Sequence, residues 1–473
     1  MLTNAVTLAL LEASSIVAAV CGTIRAWNSP LPTDRIEVAA VLGPAGAVAL
    51  CFVVSFYYND LYDLQVVRSF AEFTARLPRA LGVASVLSIA LYALFPRVDA
   101  PVFVSLPVAG GLLVSLRAIS YRLLRDRLRS ERVLIVGASP LARKLVEEIE
   151  ARPHLRYSIL GVVDDSGELL GGYPHLGPLA RLDKIIKEVR PDRIIVSLAE
   201  RRGRLPVHQL LLAQVCDGVF VEDGAEVYER LTEKLALEAL TPSNLLFCNE
   251  FRKSRLALAS GRVVSLVAAV LGLVTFAPLF VVIALAIKLD SSGPVFFVQE
   301  RAGMCGRRFK LIKFRTMRPV DRDTSLWYLD NQQRITRLGR WLRKFRLDEL
   351  PQFLNVLRGD MNLVGPRAQR VPKFELLALV ARNMPESGEA IPYFSLRSMV
   401  PPGITGWAQV RYRYAHNLEE EIEKTRYDLY YIKHMSVWLD LRILFDTVKT
   451  VLSGRGSGPA DAHGVNPREL TAA

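Results

Sequence analysis

The chain has 473 residues, with 60 basic and 47 acidic side chains giving a net charge of +13, yet 51% of it is hydrophobic and its mean hydropathy is +0.23. The length suggests about three domains. The apolar content excludes disorder over most of the chain, and a protein both basic and oily is not a simple soluble enzyme. Five cysteines with no C-x-x-C pair argue against a zinc module or a disulfide framework.

Four apolar runs come first, at about Ala5–Ile24, Val38–Tyr57, Leu81–Phe95 and Val102–Ile119. Most approach the length needed to cross a bilayer, and residues 1–125 read as a four-helix transmembrane region. The first run lacks the basic start of a signal peptide. Arginines set the orientation. Arg117, Arg122, Arg125, Arg127, Arg129 and Arg132 follow the fourth run, and Arg68, Arg76 and Arg79 occupy the second loop, whereas the third loop offers only Arg97. The N-terminus and everything after residue 125 are therefore expected on the cytoplasmic face. Arg25 and Arg35 in the first loop run against this pattern.

Residues 130–245 read as an α/β unit. Val133–Val136 is a β-branched run, Gly137-Ala-Ser-Pro-Leu-Ala142 a turn, Leu145, Val146 and Ile149 a helical face, and Ile159–Val163 a second strand ending at Asp164-Asp165; Pro191–Val196 supplies a third. This is the order of a Rossmann-like dinucleotide-binding unit. Gly137 and Ser139 are its weak cofactor-binding candidates, because Ser139 replaces the second glycine and Ala142 the third. A serine Cβ crowds the approach of a pyrophosphate. The unit is expected to bind nothing at this turn, to regulate, or to form a homodimer. A short-chain nucleotide-sugar dehydratase would also need Tyr-x-x-x-Lys, which the chain lacks.

A third unit, 252–455, opens with the apolar run 263–287. Pro278 sits in its middle, where it removes a backbone hydrogen bond. Both flanks are basic, with Arg252, Lys253, Arg255 and Arg262 before it and Lys288, Arg301, Arg307 and Arg308 after it. A re-entrant helix that breaks at Pro278 and returns satisfies both features; an ordinary fifth span with a kink is the alternative. Lys310–Met317 alternates basic and apolar residues like an edge strand, and Arg334, Arg337, Arg340, Arg343, Lys344 and Arg346 follow. Such a basic face suits lipid headgroups or a phosphorylated substrate. Nucleic acid is not expected, since no nucleic-acid motif is present.

Leu350, Phe353, Leu354 and Leu357 form an apolar helix face, with Pro351 near its start. Asp348 and Glu349 are therefore expected in the first helical turn, where the dipole favours an ionised carboxylate. An Asp-Glu pair at a helix start is by itself commonly a cap. Surrounded by arginines, it also suits a nucleophile attacking phosphorus.

The block Phe345-Arg-Leu-Asp-Glu-Leu-Pro-Gln-Phe-Leu-Asn-Val-Leu-Arg-Gly-Asp-Met-Asn-Leu-Val-Gly-Pro-Arg367 closely resembles bacterial polyprenyl-phosphate sugar-phosphotransferases of the monotopic type. So do Lys313-Phe-Arg-Thr-Met317, Pro402-Gly-Ile-Thr-Gly-Trp-Ala-Gln-Val410 and Tyr427-Asp-Leu-Tyr-Tyr-Ile-Lys433. The resemblance covers about Arg252–Leu452, and the upstream units look like the long members that initiate exopolysaccharide or O-antigen synthesis. It implies that Asp348 is the nucleophile, attacking the β-phosphate of a UDP-sugar, expelling UMP and forming a covalent phosphosugar before transfer to undecaprenyl phosphate. Glu349 matches its dyad partner, with an implied role in deprotonating the lipid phosphate. Arg343 matches a phosphate-binding arginine, Pro366 and Arg367 the element near the nucleotide, and Asp428 a family acid; Lys313 and Arg315 stand in the matching basic strand. Mg²⁺ is implied, held by Asp348 and the diphosphate. Pro278 matches the helix-breaking position. The implied location is the bacterial inner membrane, with the catalytic unit cytoplasmic.

Two departures stand out. Pro401 replaces a usual arginine, so Arg397 or Arg411 substitutes for it or one phosphate contact is missing. Ala368 replaces a usual proline. A non-catalytic membrane scaffold of a polysaccharide assembly complex is the competing reading, and the intact Asp348-Glu349 pair and Arg367 weigh against it. The sugar is left open among glucose, galactose and N-acetylated sugars. All the chemistry lies after Arg252, so a chain starting there is expected to retain it. The tail 456–473 is expected to be disordered.

Overall fold

The computed structural model describes residues 2–27, 35–59, 61–62, 70–94, 102–127, 130–167, 169–201, 203–240, 251, 253–318, 334–375, 377, 394–412 and 418–452. The expected disordered tail, and Arg68, Arg97, Arg129 and Arg252, lie outside these residues.

Helices α1 (Leu2–Trp27), α2 (Arg35–Tyr58), α3 (Phe70–Leu94) and α4 (Val102–Arg127) pack as a bundle in which α1 lies against both α2 and α4. The third helix begins at Phe70, well before its apolar run, and carries Pro78 inside it. The bundle core is Ile16, Val20, Val48, Phe52, Phe56, Phe73 and Leu113. Arg117, read from sequence as a cytoplasmic-face cation, is instead buried at 2% exposure. It pairs with Glu12 of α1, donates to the Leu61 carbonyl and lies under the rings of Tyr62 and Phe73. A guanidinium so enclosed is tolerated because a carboxylate, a carbonyl and two π faces replace its water.

The α/β unit follows with β1 (Glu131–Val136), α5 (Pro140–Glu150), β2 (Tyr157–Val163), β3 (His175–Gly177), α6 (Leu182–Val189), β4 (Arg193–Val196), α7 (Val207–Val215), β5 (Phe220–Asp223) and α8 (Gly224–Thr232). The strands form one parallel sheet in the order β3-β2-β1-β4-β5. Both faces are covered: α5 and α8 pack on Val133, Ile135 and Ile195, and α6 and α7 on Leu134, Val136 and Ile194. Burial on both faces explains the unalternated β-branched runs.

Helix α9 spans Arg255–Asp290 without interruption, Pro278 included. The expected break at Pro278 is therefore absent: the missing N–H is accommodated within a helix that continues for three further turns. Over 36 residues it is about 54 Å long at 1.5 Å per residue. It is the one helix among the described residues long and apolar enough to cross a membrane, while α1, α2 and α4 contain shorter apolar stretches. One face of α9 stays exposed through Val263, Val267, Val270, Val274, Val281, Val282 and Leu285. Its other face meets the catalytic unit at both ends. Arg262 donates to the Val356 and Met361 carbonyls, and Ile283 and Ile287 pack with Phe314 and Leu342.

The remainder comprises the antiparallel hairpin β6 (Phe296–Ala302) and β7 (Arg308–Phe314), α10 (Arg337–Lys344), α11 (Gln352–Arg358), the parallel pair β8 (Asn362–Val364) and β9 (Gly403–Thr405), and α12 (Trp407–Arg411), α13 (Leu418–His434) and α14 (Val437–Leu452). The expected apolar face of α11 is only partly realised. Gln352, Asn355 and Val356 are its buried residues, and Leu357 is 39% exposed.

The hydrophobic cluster on α13 and α14 crosses the boundary expected near residue 250. Leu235 and Leu237, just after α8, pack with Val364, Trp407, Leu429 and Ile443. Around them Glu229 meets Lys433 at 2.8 Å, Glu238 meets Arg426, and Lys234 meets Glu423 at 2.9 Å. The end of the α/β unit is thus part of the catalytic unit's wall.

Candidate active site

Asp348 and Glu349 do not occupy the first turn of α11. They lie on a separate 3-10 turn, Leu347–Glu349, entered from Arg346 in the left-handed region and left through Pro351. The turn packs against β7 and α10, which buries both carboxylates, at 8% and 7% exposure.

The two acids are in different electrostatic states. Glu349 Oε1 receives Lys313 Nζ at 2.7 Å and Arg367 Nη2 at 2.9 Å, and Arg346 stands 3.9 Å from Oε2. Burial opposes its charge, but Arg367, Lys313 and Arg346 outweigh that and hold the carboxyl far below the usual carboxylate range. Asp348 accepts no hydrogen bond among the described residues. Burial pushes its pKa up, with Glu349 adding to the rise and Lys313, Arg343 and Arg367 opposing it. The expectation that a helix dipole keeps Asp348 ionised is corrected: the carboxylates sit outside the helix, and desolvation dominates. The outcome is a more basic, unencumbered oxygen beside a permanently charged neighbour, the division of roles found where paired carboxylates do chemistry.

The surrounding charge is positive. Lys313, Arg343, Arg346 and Arg367 face two carboxylates. Arg343 is steadied by its Nε bond to Thr316 Oγ1 at 2.9 Å. Half-buried Arg301 on β6 donates to the Ala368 carbonyl at 3.1 Å, and desolvation together with Arg367 and Arg370 lowers its pKa to about 9. Such an excess of cations fits a dianionic or more highly charged phosphate ligand.

Two glycine-rich segments assemble one wall of the site. Asn362 pairs with Gly403 and Val364 with Thr405. Beyond the strands, Gly365 N donates to the Thr405 carbonyl and Gly403 N to the Pro366 carbonyl, both at 2.9 Å. A Cβ on Gly365 would stand 2.5 Å from the Pro401 carbonyl, so only glycine permits this approach. The register delivers Arg367 to Glu349 and to Gln409 Oε1, at 2.6 Å. Arg346 Nη1 donates to the same oxygen at 3.2 Å. Gln409 was not singled out from sequence, although it lies within the Pro402–Val410 block; its contact with two site arginines distinguishes it.

Not every expected residue joins this cluster. Arg315 is buried but turned to the end of α9, donating to the Ser291 carbonyl at 2.7 Å. Asp428 lies on α13 in a separate buried network, 2.6 Å from Arg397, which also faces Glu421. Burial raises Asp428 despite Arg397. Arg397 is thereby committed elsewhere, and Arg411 pairs with Glu233 at 2.8 Å on the α/β side.

In the α/β unit, Ser139 Oγ accepts the Ala142 N–H at 3.1 Å and bonds Ser197 Oγ at 2.9 Å. Asp164 accepts the Ala138 N–H. A Cβ on Gly137 would strike the Ser197 carbonyl, so this glycine serves the approach of the β4 loop. Two of the turn's backbone donors, Ala138 and Ala142, are thus taken by side chains of the unit itself.

Among the described residues, no group of three or more His, Cys, Asp or Glu side chains could hold a metal ion. Glu349 is occupied by cations, which leaves Asp348 as the one carboxylate at the site able to serve Mg²⁺. That fits an ion held mainly by phosphate oxygens.

A family model for bacterial sugar transferases matches residues 257–454, and one for a CoA-binding domain matches residues 58–211. The chain is 33% identical over 288 residues to an Aeromonas hydrophila UDP-N-acetylgalactosamine-undecaprenyl-phosphate N-acetylgalactosaminephosphotransferase, covering 60% of this chain and 62% of that one, less than two thirds of the relative. It is 30% identical to UDP-glucose:undecaprenyl-phosphate glucose-1-phosphate transferases of Klebsiella pneumoniae, covering 84% of this chain and 90% of the relative, and of Xanthomonas campestris pv. campestris, covering 94% and 92%. With matches that run nearly end to end and a buried acidic pair ringed by cations, the chain belongs to the bacterial sugar transferases that act as polyprenyl-phosphate sugar-phosphotransferases.

Proposed function

We propose that this protein transfers a sugar-1-phosphate from a UDP-sugar to undecaprenyl phosphate and releases UMP, the first membrane step of exopolysaccharide, capsule or O-antigen synthesis. The observation that carries the reading is the unequal pair. Asp348 is raised and, among the described residues, without a hydrogen-bond partner, Glu349 is lowered and held by three cations, and both are buried under a cationic lining.

An Asp348 carboxylate oxygen attacks the β-phosphorus of the UDP-sugar. A bond forms from that oxygen to phosphorus, and the bond from phosphorus to the bridging oxygen breaks, so UMP leaves with the bridging oxygen. The acyl phosphate then carries the sugar. A phosphate oxygen of the lipid attacks the same phosphorus, the bond from phosphorus to Asp348 breaks and Asp348 leaves as carboxylate, and the lipid phosphate gains the phosphosugar to become a lipid diphospho-sugar. Lys313, Arg343 and Arg367 neutralise charge on the transferring group. Glu349 fixes Lys313 and Arg367 in place; held so far below the usual carboxylate range, it stays ionised and orients these cations rather than taking the lipid phosphate's proton. Bound Mg²⁺ would supply further neutralisation of the diphosphate, with Asp348 as its protein ligand. Pro366 supports the glycine-rich wall, on the nucleotide side; Arg315 and Asp428 act from outside the immediate site.

The membrane reading is that α1–α4 cross the bilayer and α9 is embedded without crossing, with the catalytic unit on the cytoplasmic face of the inner membrane. Contact of both ends of α9 with one catalytic unit supports this, as does its exposed apolar face. The test is UMP release by purified membranes given undecaprenyl phosphate and a panel of UDP-sugars. Release with one sugar supports the transferase. No release with any sugar from well-folded protein leaves the scaffold reading.

A further inference from the structure

The α/β unit meets the catalytic unit at one residue more intimately than elsewhere. Glu233, at the C-terminus of α8, has a left-handed backbone (φ 57°), an unusual conformation for a non-glycine residue. Its carbonyl accepts the Trp407 indole N–H at 3.1 Å, and its carboxylate takes Arg411 at 2.8 Å and Arg442 at 3.0 Å. The same two guanidiniums lie over the Trp407 ring, 4.5 and 5.0 Å from its centroid. Trp407 and Arg411 bound the five-residue helix α12, so Glu233 grips both ends of it.

On its other side α12 presents Gln409. The single oxygen Oε1 receives Arg367 and Arg346, and Nε2 is tied back to the Ile404 carbonyl at 3.3 Å. That tie fixes which way the carboxamide points. Both arginines also face Glu349. Two cations that repel each other are thus held side by side by one neutral acceptor and one carboxylate. A neutral acceptor leaves their positive charge available to a phosphate, which a second carboxylate would cancel.

We infer that Gln409 is a positioning residue for the transfer reaction, setting Arg346 and Arg367 for the substrate diphosphate, and that Glu233 makes the α/β unit the anchor of the helix that carries it. This rests on the transferase reading and gives the α/β unit a part in that reaction without a ligand at its glycine turn.

The test uses the full-length protein in detergent with undecaprenyl phosphate and the active UDP-sugar. Gln409→Met keeps the side chain's volume and removes the acceptor; Gln409→Glu keeps the acceptor and adds charge. Positioning predicts that Gln409→Met lowers kcat at least about tenfold, the scale of a lost charge-assisted hydrogen bond. Gln409→Glu should keep kcat within about threefold while KM for the UDP-sugar rises. A volume-filling role predicts the reverse order, and that order would overturn the inference. Glu233→Ala should lower kcat in the direction of Gln409→Met; a wild-type kcat would overturn the anchoring role. Calorimetric binding of UDP to wild type and to Gln409→Glu reads the arginines without turnover. Weaker binding by the variant supports the inference, and equal binding contradicts it. Wild-type protein that releases no UMP from any sugar would fail the transferase reading instead, while the UDP comparison would still judge Gln409.

Discussion

Gly365→Ala measures how closely the two glycine-rich segments must approach. The added Cβ would stand 2.5 Å from the Pro401 carbonyl and 2.9 Å from Gly403 N, where ordinary contact begins near 3.4 Å. The segments must part by the difference, about 0.9 Å. Gly365 N to Thr405 O and Gly403 N to Pro366 O, each 2.9 Å, would then stretch to about 3.8 Å, past hydrogen-bonding range. Two such bonds at about 1 kcal/mol each give a loss near 2 kcal/mol. The effect on activity is larger. Arg367, two residues on, moves by a similar distance from Gln409 and Glu349, and a misplacement of about 1 Å at a reacting group can cost about 100-fold. UMP release by wild type and variant, with thermal unfolding in the same detergent, should show kcat/KM down about 100-fold in protein that remains folded at assay temperature. A variant within about threefold of wild type would refute the argument that this backbone approach sets the arginine.

Other outcomes follow from buried charge. Glu238 is held at a pKa of about 2, because Arg426 and Lys144 outweigh its burial. A depressed carboxyl contributes stability that is present above its unfolded value and lost as pH falls through the folded one. Glu238→Gln should therefore lower the unfolding temperature at pH 7 and make little difference near pH 2, read by paired thermal scans. Arg117→Met should destabilise the bundle by about 3–5 kcal/mol by leaving Glu12 buried without its counter-ion, and adding Glu12→Met should recover most of that loss; equal instability of single and double variants would contradict the pairing. Because Asp348 is raised, activity on the acid side should fall at a pH above the ordinary aspartate range, as the nucleophile protonates. A pH–rate profile with its acid limb at or below that range would count against the division of roles.

Much of the site was legible before the fold. The Asp348-Glu349 pair, Lys313, Arg343 and Arg367 stand in blocks whose spacing survives folding, because the 3-10 turn, β7 and the β8–β9 pair each deliver one block locally. The α/β order was legible from β-branched runs buried on both faces, whereas the capping of α5 by Ser139 is seen only in the structure. What sequence could not show was pairing over long separations. Arg117 looks like a flanking cation until Glu12 is placed beside it, and Asp428 is claimed by Arg397. The packing of Leu235 and Leu237 against Trp407 depends on where the α/β unit docks, which no local pattern encodes. A chain beginning at Arg252 would expose that cluster, so loss of stability is the expected consequence of truncation even though the reacting groups remain. Pro278 carries a strong local signal for a break, yet α9 continues through it.

The central claim is that Asp348 becomes covalently bonded to the phosphosugar. Full-length protein given the active UDP-sugar without lipid phosphate, then examined by intact mass and peptide mapping, tests it most directly. The wild type should gain one phosphosugar on the peptide carrying Asp348 and release one equivalent of UMP, and Asp348→Asn should do neither. Full UMP release by Asp348→Asn, or a wild type that turns over with lipid yet never carries the adduct, would contradict the account.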